Sequence, residues 1–537
     1  MRAARPRKPI CAAATLAGGM LAAAISVTPT WADANPAQAA DTAQAGDAVA
    51  VASGGGLSLK LSGKGWYQFG RVMHSSDTLV SQYNYNDNFI HRPGAQFTVL
   101  ADIGEHWDGA MGLGGYETQD PQGGIFNSAQ RKSETGFKVY ITQAKFAYTL
   151  GDKAAPTLKG TFGLFPLVYN PDVRNLGGYL LRGPVYPGIL MSGFESNQFD
   201  PSIANTLGLN LKSVLGNFTQ DLILKSETDL PPQFDFSLAY LAQYEKKDFF
   251  TLGIGVDFYR LLPMKPELTN LTDPSFMKDN RSALSVSHPY RQKYIYVPTD
   301  TVAFNADGTL KPNAAGRDSV NGTFTKLDDT TYIWSSRDTT LFSHQGTKLM
   351  ARFSFDPKYL FGNGPFGPKD WKFYGEAAII GTKDYPGVYE KIGERIPVMM
   401  GFNIPTLGFL DDCALEVEWY GAEFRDDYYK LVKETSPIPV SNHSQEYDRQ
   451  ADAQGRLSTD STIAFSDVDV EHMTKDDWKW SLYMSKTIQK YARISLQIAN
   501  DHYRPWEDSP SGATTRYESA FTELRDYYIT TKIGFTF

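Results

Sequence analysis

The sequence has 537 residues, of which 42% are hydrophobic and 13% aromatic, and it carries a formal net charge of −8. This composition excludes an intrinsically disordered chain, and the acidic balance argues against a nucleic-acid partner, which would require basic patches. The two cysteines are Cys11 and Cys413. Cys11 lies in a predicted leader, so we expect no intramolecular disulfide in the mature chain.

Residues 1–34 have the pattern of a signal peptide for export. Basic residues open the chain, a mostly apolar stretch follows from Ile10 to Val27, and Ala32-Asp33-Ala34 forms a small-x-small cleavage site. A retained membrane anchor is the alternative, but a stretch this rich in Ala and Gly is weakly apolar for a permanent span. Without residues 1–32 the formal charge is −12.

Residues 35–56 are rich in Ala, Gly, Asp and Gln, and they predict a flexible N-terminal tail in the periplasm. From residue 57 the chain alternates between apolar and polar positions, for example Leu57, Leu59 and Leu61 against Ser58 and Lys60. A period of two predicts a β-strand with one apolar and one polar face. The alternation recurs at 234–245, 249–260, 414–424 and 491–503, and no long apolar run follows the signal.

Sixteen such strands are predicted, and 57–537 is expected to form one domain. The alternative count is eighteen, because 294–304 and 323–334 are candidates for a further hairpin. Pro397 is a weak point, since it lacks the amide that a strand ladder needs. The predicted strands are 57–72, 95–104, 107–117, 137–150, 157–168, 203–212, 216–226, 233–245, 249–260, 346–356, 371–382, 391–404, 413–424, 477–488, 491–503 and 526–537.

The connections between these strands alternate in length. Every long one follows an odd-numbered strand, including 169–202, 261–345 and 425–476, whereas most of those after even-numbered strands are tight. A β-sandwich has no reason to separate loop lengths by strand parity. The pattern is typical of membrane barrels with short periplasmic turns and long surface loops. The predicted fold class is therefore all-β, a closed antiparallel transmembrane barrel.

The last strand, 526–537, carries a glycine, alternating aromatic residues and a terminal phenylalanine, with Phe535 and Phe537 on its apolar face. It resembles the C-terminal β-signal of Gram-negative outer-membrane proteins, which the barrel-assembly machinery reads. The resemblance implies localisation in the bacterial outer membrane. It also implies outer-membrane lipid, lipopolysaccharide and the assembly machinery as partners.

The layout as a whole resembles the sixteen-stranded porins, whose third surface loop folds into the lumen. The resemblance implies passive diffusion of small polar or charged solutes, and it leaves a homotrimer open. The third long loop here, 169–202, has apolar patches that need a surface to pack against. The residues expected to form a pore constriction are Asp172, Arg174, Arg182 and Glu195 of this loop, with Lys60 and Lys64 of the wall.

Charged residues on the polar faces of other strands are expected to line the lumen. They include Lys348, Arg352, Glu416, Glu418 and Arg493. Two interpretations stay open, a wall that is simply wetted and a transverse field that selects dipolar solutes. A third, a sugar-selective track of aromatic residues, is an alternative.

Catalytic chemistry is not expected. The eight histidines fall almost entirely in predicted loops, and neither a G-x-S-x-G nor an H-E-x-x-H motif is present. The acids of 425–476 match no twelve-residue calcium loop, so neither a metal nor a cofactor is predicted. The alternative to a channel is a non-conducting surface barrel that serves as an adhesin, a receptor or an export component.

Overall fold

The structure is a computed structural model of the chain. The residues that it describes are 49–54, 56–75, 89–117, 137–153, 155–181, 204–227, 234–264, 295–296, 299–303, 322–326, 331–336, 340–341, 345–362, 364–382, 392–420, 478–489, 491–500, 507–508, 515–516 and 523–536.

Sixteen strands form one closed antiparallel barrel, in which each strand pairs with its neighbours in the sequence. The last strand closes the ring by pairing with the first, for example Thr536 with Lys64. The predicted fold class and strand count are therefore confirmed. In chain order the strands are β1 (Leu57–His74), β2 (Phe89–Ile103), β3 (Trp107–Glu117), β4 (Phe137–Asp152), β5 (Ala155–Leu167), β6 (Ala204–Leu215), β7 (Phe218–Ser226), β8 (Phe236–Lys246), β9 (Phe250–Leu262), β10 (Gly346–Phe355), β11 (Phe373–Ile379), β12 (Val398–Asn403), β13 (Asp412–Trp419), β14 (Trp478–Ile488), β15 (Ala492–Ala499) and β16 (Tyr527–Thr536).

The alternative count of eighteen strands is wrong. The two candidate segments between β9 and β10 do form strands, but these pair with each other and with close neighbours rather than with the barrel. The strands of this connection are Ile295–Tyr296, Thr299–Ala303, Gly322–Lys326, Thr331–Ser336 and Thr340–Leu341. A further short pair, Glu507–Asp508 with Thr515–Arg516, lies between β15 and β16.

The two faces of the wall have opposite polarity. Large apolar side chains such as Phe146, Phe162 and Ile254 are exposed on the outer face, whereas Asp257 and Lys348 are buried inside. A soluble protein buries most of its large apolar residues and exposes its charged ones. The exterior of this barrel is therefore suited to contact with hydrocarbon rather than with water.

The two ends of the barrel differ in their connections. Tight turns join β2 to β3, β4 to β5, β6 to β7, β8 to β9 and β14 to β15 at the short-turn end, and the long connections lie at the opposite end. Two wider turns at the short-turn end are 356–372, which contains the helix α1 (Lys358–Phe361), and 404–411. Among the described residues, no helix is long and apolar enough to span a membrane.

Pro397 delays the start of a predicted strand. The observed strand β12 begins at Val398, and a 3-10 helix, Ile392–Arg395, precedes it, so the predicted strand 391–404 is too long. The proline ring carries no amide proton for the ladder, and the strand therefore starts at the next residue.

Part of the segment expected to be a flexible tail is a strand. Residues Val49–Gly54 pair antiparallel with the start of β1, from Val49 with Leu61 to Gly54 with Leu57. From Lys64 onward, the same edge of β1 pairs with β16.

Candidate functional site

Residues 168–181, here called the inner segment, follow β5 and lie inside the barrel. Leu176, Tyr179 and Leu180 are at most 1% exposed. Its short 3-10 helix, Tyr179–Leu181, lies against β9, β10 and β11. The inner segment therefore crosses from β5 to a distant part of the wall, because β10 and β11 lie five and six strands further round the ring.

Apolar side chains attach the inner segment to the wall. They form one buried cluster with inward-facing residues of β7, β8, β10, β11 and β12. Gly255 on β9 makes room for this contact, since a Cβ atom there would lie 2.9 Å from Leu180 Cδ2. The members of the cluster are Phe165, Leu167, Tyr169, Val173, Leu176, Tyr179, Leu180, Leu181, Ile223, Ala239, Leu241, Met350, Tyr374, Ala378, Ile380, Met399 and Tyr420.

Three buried wall carboxylates, Glu376 on β11 with Glu416 and Glu418 on β13, form the carboxylate cluster. Glu416 accepts hydrogen bonds from the backbone amides of Arg174, Asn175 and Leu176 at 2.6, 2.9 and 2.9 Å. It also accepts one at 2.9 Å from the hydroxyl of Tyr374. A buried carboxylate is stable when several donors replace its hydration, and four donors meet this one.

The other two carboxylates bind residues of the inner segment on either side of 174–176. Glu376 accepts hydrogen bonds from the backbone amide of Tyr179 at 2.8 Å and from the side-chain amide of Asn170 at 2.7 Å. It also accepts one from the hydroxyl of Tyr169 at 2.5 Å. Glu418 accepts one at 2.7 Å from the hydroxyl of Tyr179. Backbone donors of an irregular loop thus find acceptors on the wall, as a buried loop requires.

A left-handed turn brings the backbone amides to these acceptors. Gly177 has φ +83°, and a Cβ atom there would lie 2.7 Å from Met399 Cε. Gly178 also has a positive φ, of +72°. Only glycine adopts this region at little cost, so the Gly177-Gly178 pair is what the path of the inner segment requires.

Ion pairs complete the attachment. Arg174 Nε donates to Asp412 Oδ2 at 2.6 Å, and Lys372 Nζ is paired with the carboxylate of Asp172. Burial opposes the ionisation of Asp172, but Lys372, Arg352 and Arg174 together hold its pKa below the ordinary value.

Two further basic residues of the wall touch the inner segment. Arg352 donates to Asn170 Oδ1 at 3.1 Å, and Lys348 donates to the carbonyl oxygen of Leu180 at 3.3 Å. Lys348 also lies 4.0 Å from Asp257, which is paired with Lys225 at 2.7 Å. Buried charge on this part of the wall is therefore met by opposite charge or by hydrogen-bond partners.

A cavity of about 120 Å³ lies beside the inner segment and is lined by residues of β4 to β10. Its cationic lining residues are Lys145, Lys159, Lys212, Arg352 and Lys372, and its acidic ones are Asp172, Asp221 and Glu245. Among the described residues, no group of three or more His, Cys, Asp or Glu could hold a metal ion.

The residues predicted for the constriction are divided by the structure. Asp172 and Arg174 lie in the inner segment, and Arg182 and Glu195 lie outside the described residues. Lys60 and Lys64 lie on β1, four strands from β13, and Lys64 Nζ is 5.8 Å from the ring centre of Trp66. The contacts given above attach the inner segment to β7–β13, so they do not bring these two lysines to it.

The residues predicted for the lumen wall face the interior. Lys348, Arg352, Glu416 and Glu418 contact the inner segment, as described above. Arg493 on β15 donates instead to Ser485 Oγ at 2.8 Å. Of the predicted assembly signal, Phe535 is exposed on the outer face, and Phe537 lies outside the described residues.

The contributions of Asp412, Tyr374 and Asn170 were not predicted. A signal for the carboxylate cluster is nevertheless present in the sequence. Glu416 and Glu418 share the polar face of one strand, and such paired acids inside a barrel need donors. The Gly177-Gly178 pair in the third loop marks the place where backbone amides could supply them.

Among known proteins, only solved structures are similar to this chain, and the similarity is one of fold. No family model matches the sequence, and no curated protein matches it. Solved structures with a similar fold include engineered mutants of a porin from Rhodopseudomonas blastica. Two of them have TM-scores of 0.39 and 0.38, each with 7% sequence identity over 89% of this chain and 100% of the other. The strand pairing itself defines this chain as a closed sixteen-stranded antiparallel barrel, and a loop is held inside it.

Proposed function

We propose that this protein is a porin-like channel of the bacterial outer membrane, through which small polar or charged solutes diffuse passively. The observation that supports this is the inner segment, which is bound to the inside of a closed barrel and has a charged cavity beside it. A loop held in this way narrows the interior of the barrel without a conformational change. Selection would then depend on size and on the charges that line the remaining space.

The proposed location follows from the exterior of the barrel and from the leader. Exposed apolar residues on the outer face would contact lipid, the short-turn end would face the periplasm, and the long loops would meet lipopolysaccharide. Residues 1–34 would direct export and be removed. The C-terminal sequence that includes Phe535 and Phe537 would be read by the barrel-assembly machinery.

Conductance of the mature protein tests the proposal. The chain from residue 35 is refolded in detergent and added to a planar lipid bilayer, and current is recorded at fixed voltage. A channel gives discrete steps of equal height that scale with salt concentration. A folded barrel that inserts and passes no current would instead be a non-conducting surface barrel, and the proposal would be wrong.

A further inference from the structure

The cavity beside the inner segment has an uneven charge. Five cationic side chains line it against three carboxylates. One of the carboxylates, Asp172, is ion-paired with Lys372. Another, Asp221, accepts a hydrogen bond at 3.0 Å from Asn210 Nδ2. The cavity therefore offers more positive than negative charge to a solute.

Three of its four lysines lie on adjacent strands. Lys145 lies on β4, Lys159 on β5 and Lys212 on β6. Lys159 and Lys212 are direct partners across the β5–β6 ladder, and Asp221 is the next partner of Lys212 on β7. Two cations placed directly opposite each other on one face of a sheet repel, and one acid beside them offsets part of that repulsion.

The acids of the opposite wall are not available to balance these lysines. Glu376, Glu416 and Glu418 are at most 2% exposed, and all three bind the inner segment. Their charge faces backbone and hydroxyl donors rather than the cavity. The same contacts that hold the inner segment thus leave the solute-accessible side with a positive balance.

We propose that this cavity is a binding subsite for a small oxyanion, a solute that carries a phosphate or a carboxylate group. The ammonium groups of Lys159 and Lys212 would donate charge-assisted hydrogen bonds to its oxygens, with Lys145 alongside. An anion between the two lysines would relieve their repulsion. The subsite rests on the proposed channel, because the lumen is the route by which a solute would reach it.

The test measures whether phosphate competes with chloride for the lumen. Single-channel chloride current of the refolded mature protein is recorded while inorganic phosphate is added, then in separate arms succinate and the neutral sugar glucose. Phosphate or succinate that binds lowers the chloride current in a saturable way. Glucose at the same concentrations is not expected to saturate.

The variant K159Q/K212Q removes two cations and keeps the side chains polar. Loss of a charge-assisted hydrogen bond weakens binding by about tenfold or more, so the half-saturating concentration should rise at least that far. K159R/K212R keeps both charges and should restore saturation near the parent concentration. K153Q makes the same chemical change in the β4–β5 turn, where Lys153 pairs with Asp102 and Asp108, and should behave like the parent.

The outcomes separate this inference from the proposed function. If the parent conducts and neither anion saturates, or if K159Q/K212Q saturates at the parent concentration, the subsite is wrong and the channel stands. If the folded parent passes no current, the channel is wrong. Calorimetric titration of the detergent-solubilised barrel with phosphate, in the parent and in both double variants, then decides the subsite by itself.

Discussion

The wall strands β11 and β13 and the wall strands β4, β5 and β6 all direct charged side chains into the barrel, but these charges meet different partners. On β11 and β13 the three carboxylates are buried and hydrogen-bonded to the inner segment. On β4, β5 and β6 the three lysines line a cavity. Charged side chains on the inward face of a strand can therefore hold the inner segment in one part of the wall and line a cavity in another.

The difference follows from where the inner segment lies. A buried loop brings unpaired backbone amides, and amides require acceptors, so the wall that receives the loop must be acidic or otherwise rich in oxygen. The wall that the loop leaves uncovered is under no such constraint.

Removing the inner segment should have the largest effect. Because β5 and β6 are paired neighbours, a short Gly/Ser linker can replace residues 170–200 without moving either strand. We expect single-channel conductance to rise severalfold and ion selectivity to shift toward cations, since the carboxylate cluster becomes exposed. As a control, a linker of the same composition replaces residues 428–470 of the connection between β13 and β14. Equal conductance of the parent and the 170–200 variant would show that the inner segment does not narrow the pore.

Breaking one acceptor should loosen the inner segment without opening the barrel. In Glu416→Ala, three backbone amides and the hydroxyl of Tyr374 lose their acceptor. Each unsatisfied buried group costs about 1–3 kcal/mol, so amide exchange at 174–176 should accelerate by about tenfold or more. Hydrogen exchange with mass spectrometry measures this. Glu245→Ala, a lumen carboxylate on the cavity side, should leave exchange at 174–176 unchanged.

Straining the turn should have a smaller effect of the same kind. Gly177→Ala places a Cβ atom at φ +83° and 2.7 Å from Met399 Cε. We expect a local cost of about 1–2 kcal/mol, visible as faster exchange at 174–179 and as noisier open-channel current. Gly393→Ala, where the added atom meets open space, is the matched control. The same exchange rates in both variants would show that the turn is not strained by a side chain.

The smallest effect concerns pH. Neighbouring cations lower the pKa of Asp172 in the folded protein. The contribution of Asp172 to holding the inner segment is therefore present above about pH 4, and it is lost only as the pH falls through this lowered pKa. Between pH 7 and pH 5, Asp172→Asn should therefore differ from the parent by a constant amount in exchange at 170–174. A difference that disappears between pH 7 and pH 5 would mean that Asp172 is already protonated in that range.

Much of the fold could be predicted from local pattern. Alternation of period two located all sixteen strands, and the parity of the connections separated a barrel from a sandwich. The predictions that were wrong had local causes that an alternating pattern does not include. Pro397 shortened one strand. The hairpin candidates near 294–304 and 323–334 paired with each other instead of joining the barrel.

The site was less predictable because its contacts are not local. Arg174 meets Glu416 across 242 positions, and Asn170 meets Glu376 across 206. No periodicity links such residues. The composition of the third loop predicted that it needs a surface to pack against, but not which strands would supply that surface.

The seam between β1 and β16 has a consequence for the order of assembly. Each earlier ladder joins strands that are neighbours in the sequence, whereas the seam pairs Lys64 with Thr536 and so waits for the far end of the chain. Until then β1 has an unpaired edge, which is where a second chain could add. The strand Val49–Gly54 covers the first residues of that edge through a local antiparallel pairing, which needs no distant part of the chain. The rest of this edge of β1, from Lys64 onward, stays unpaired until β16 is in place. A chaperone would therefore have to protect this stretch for longest.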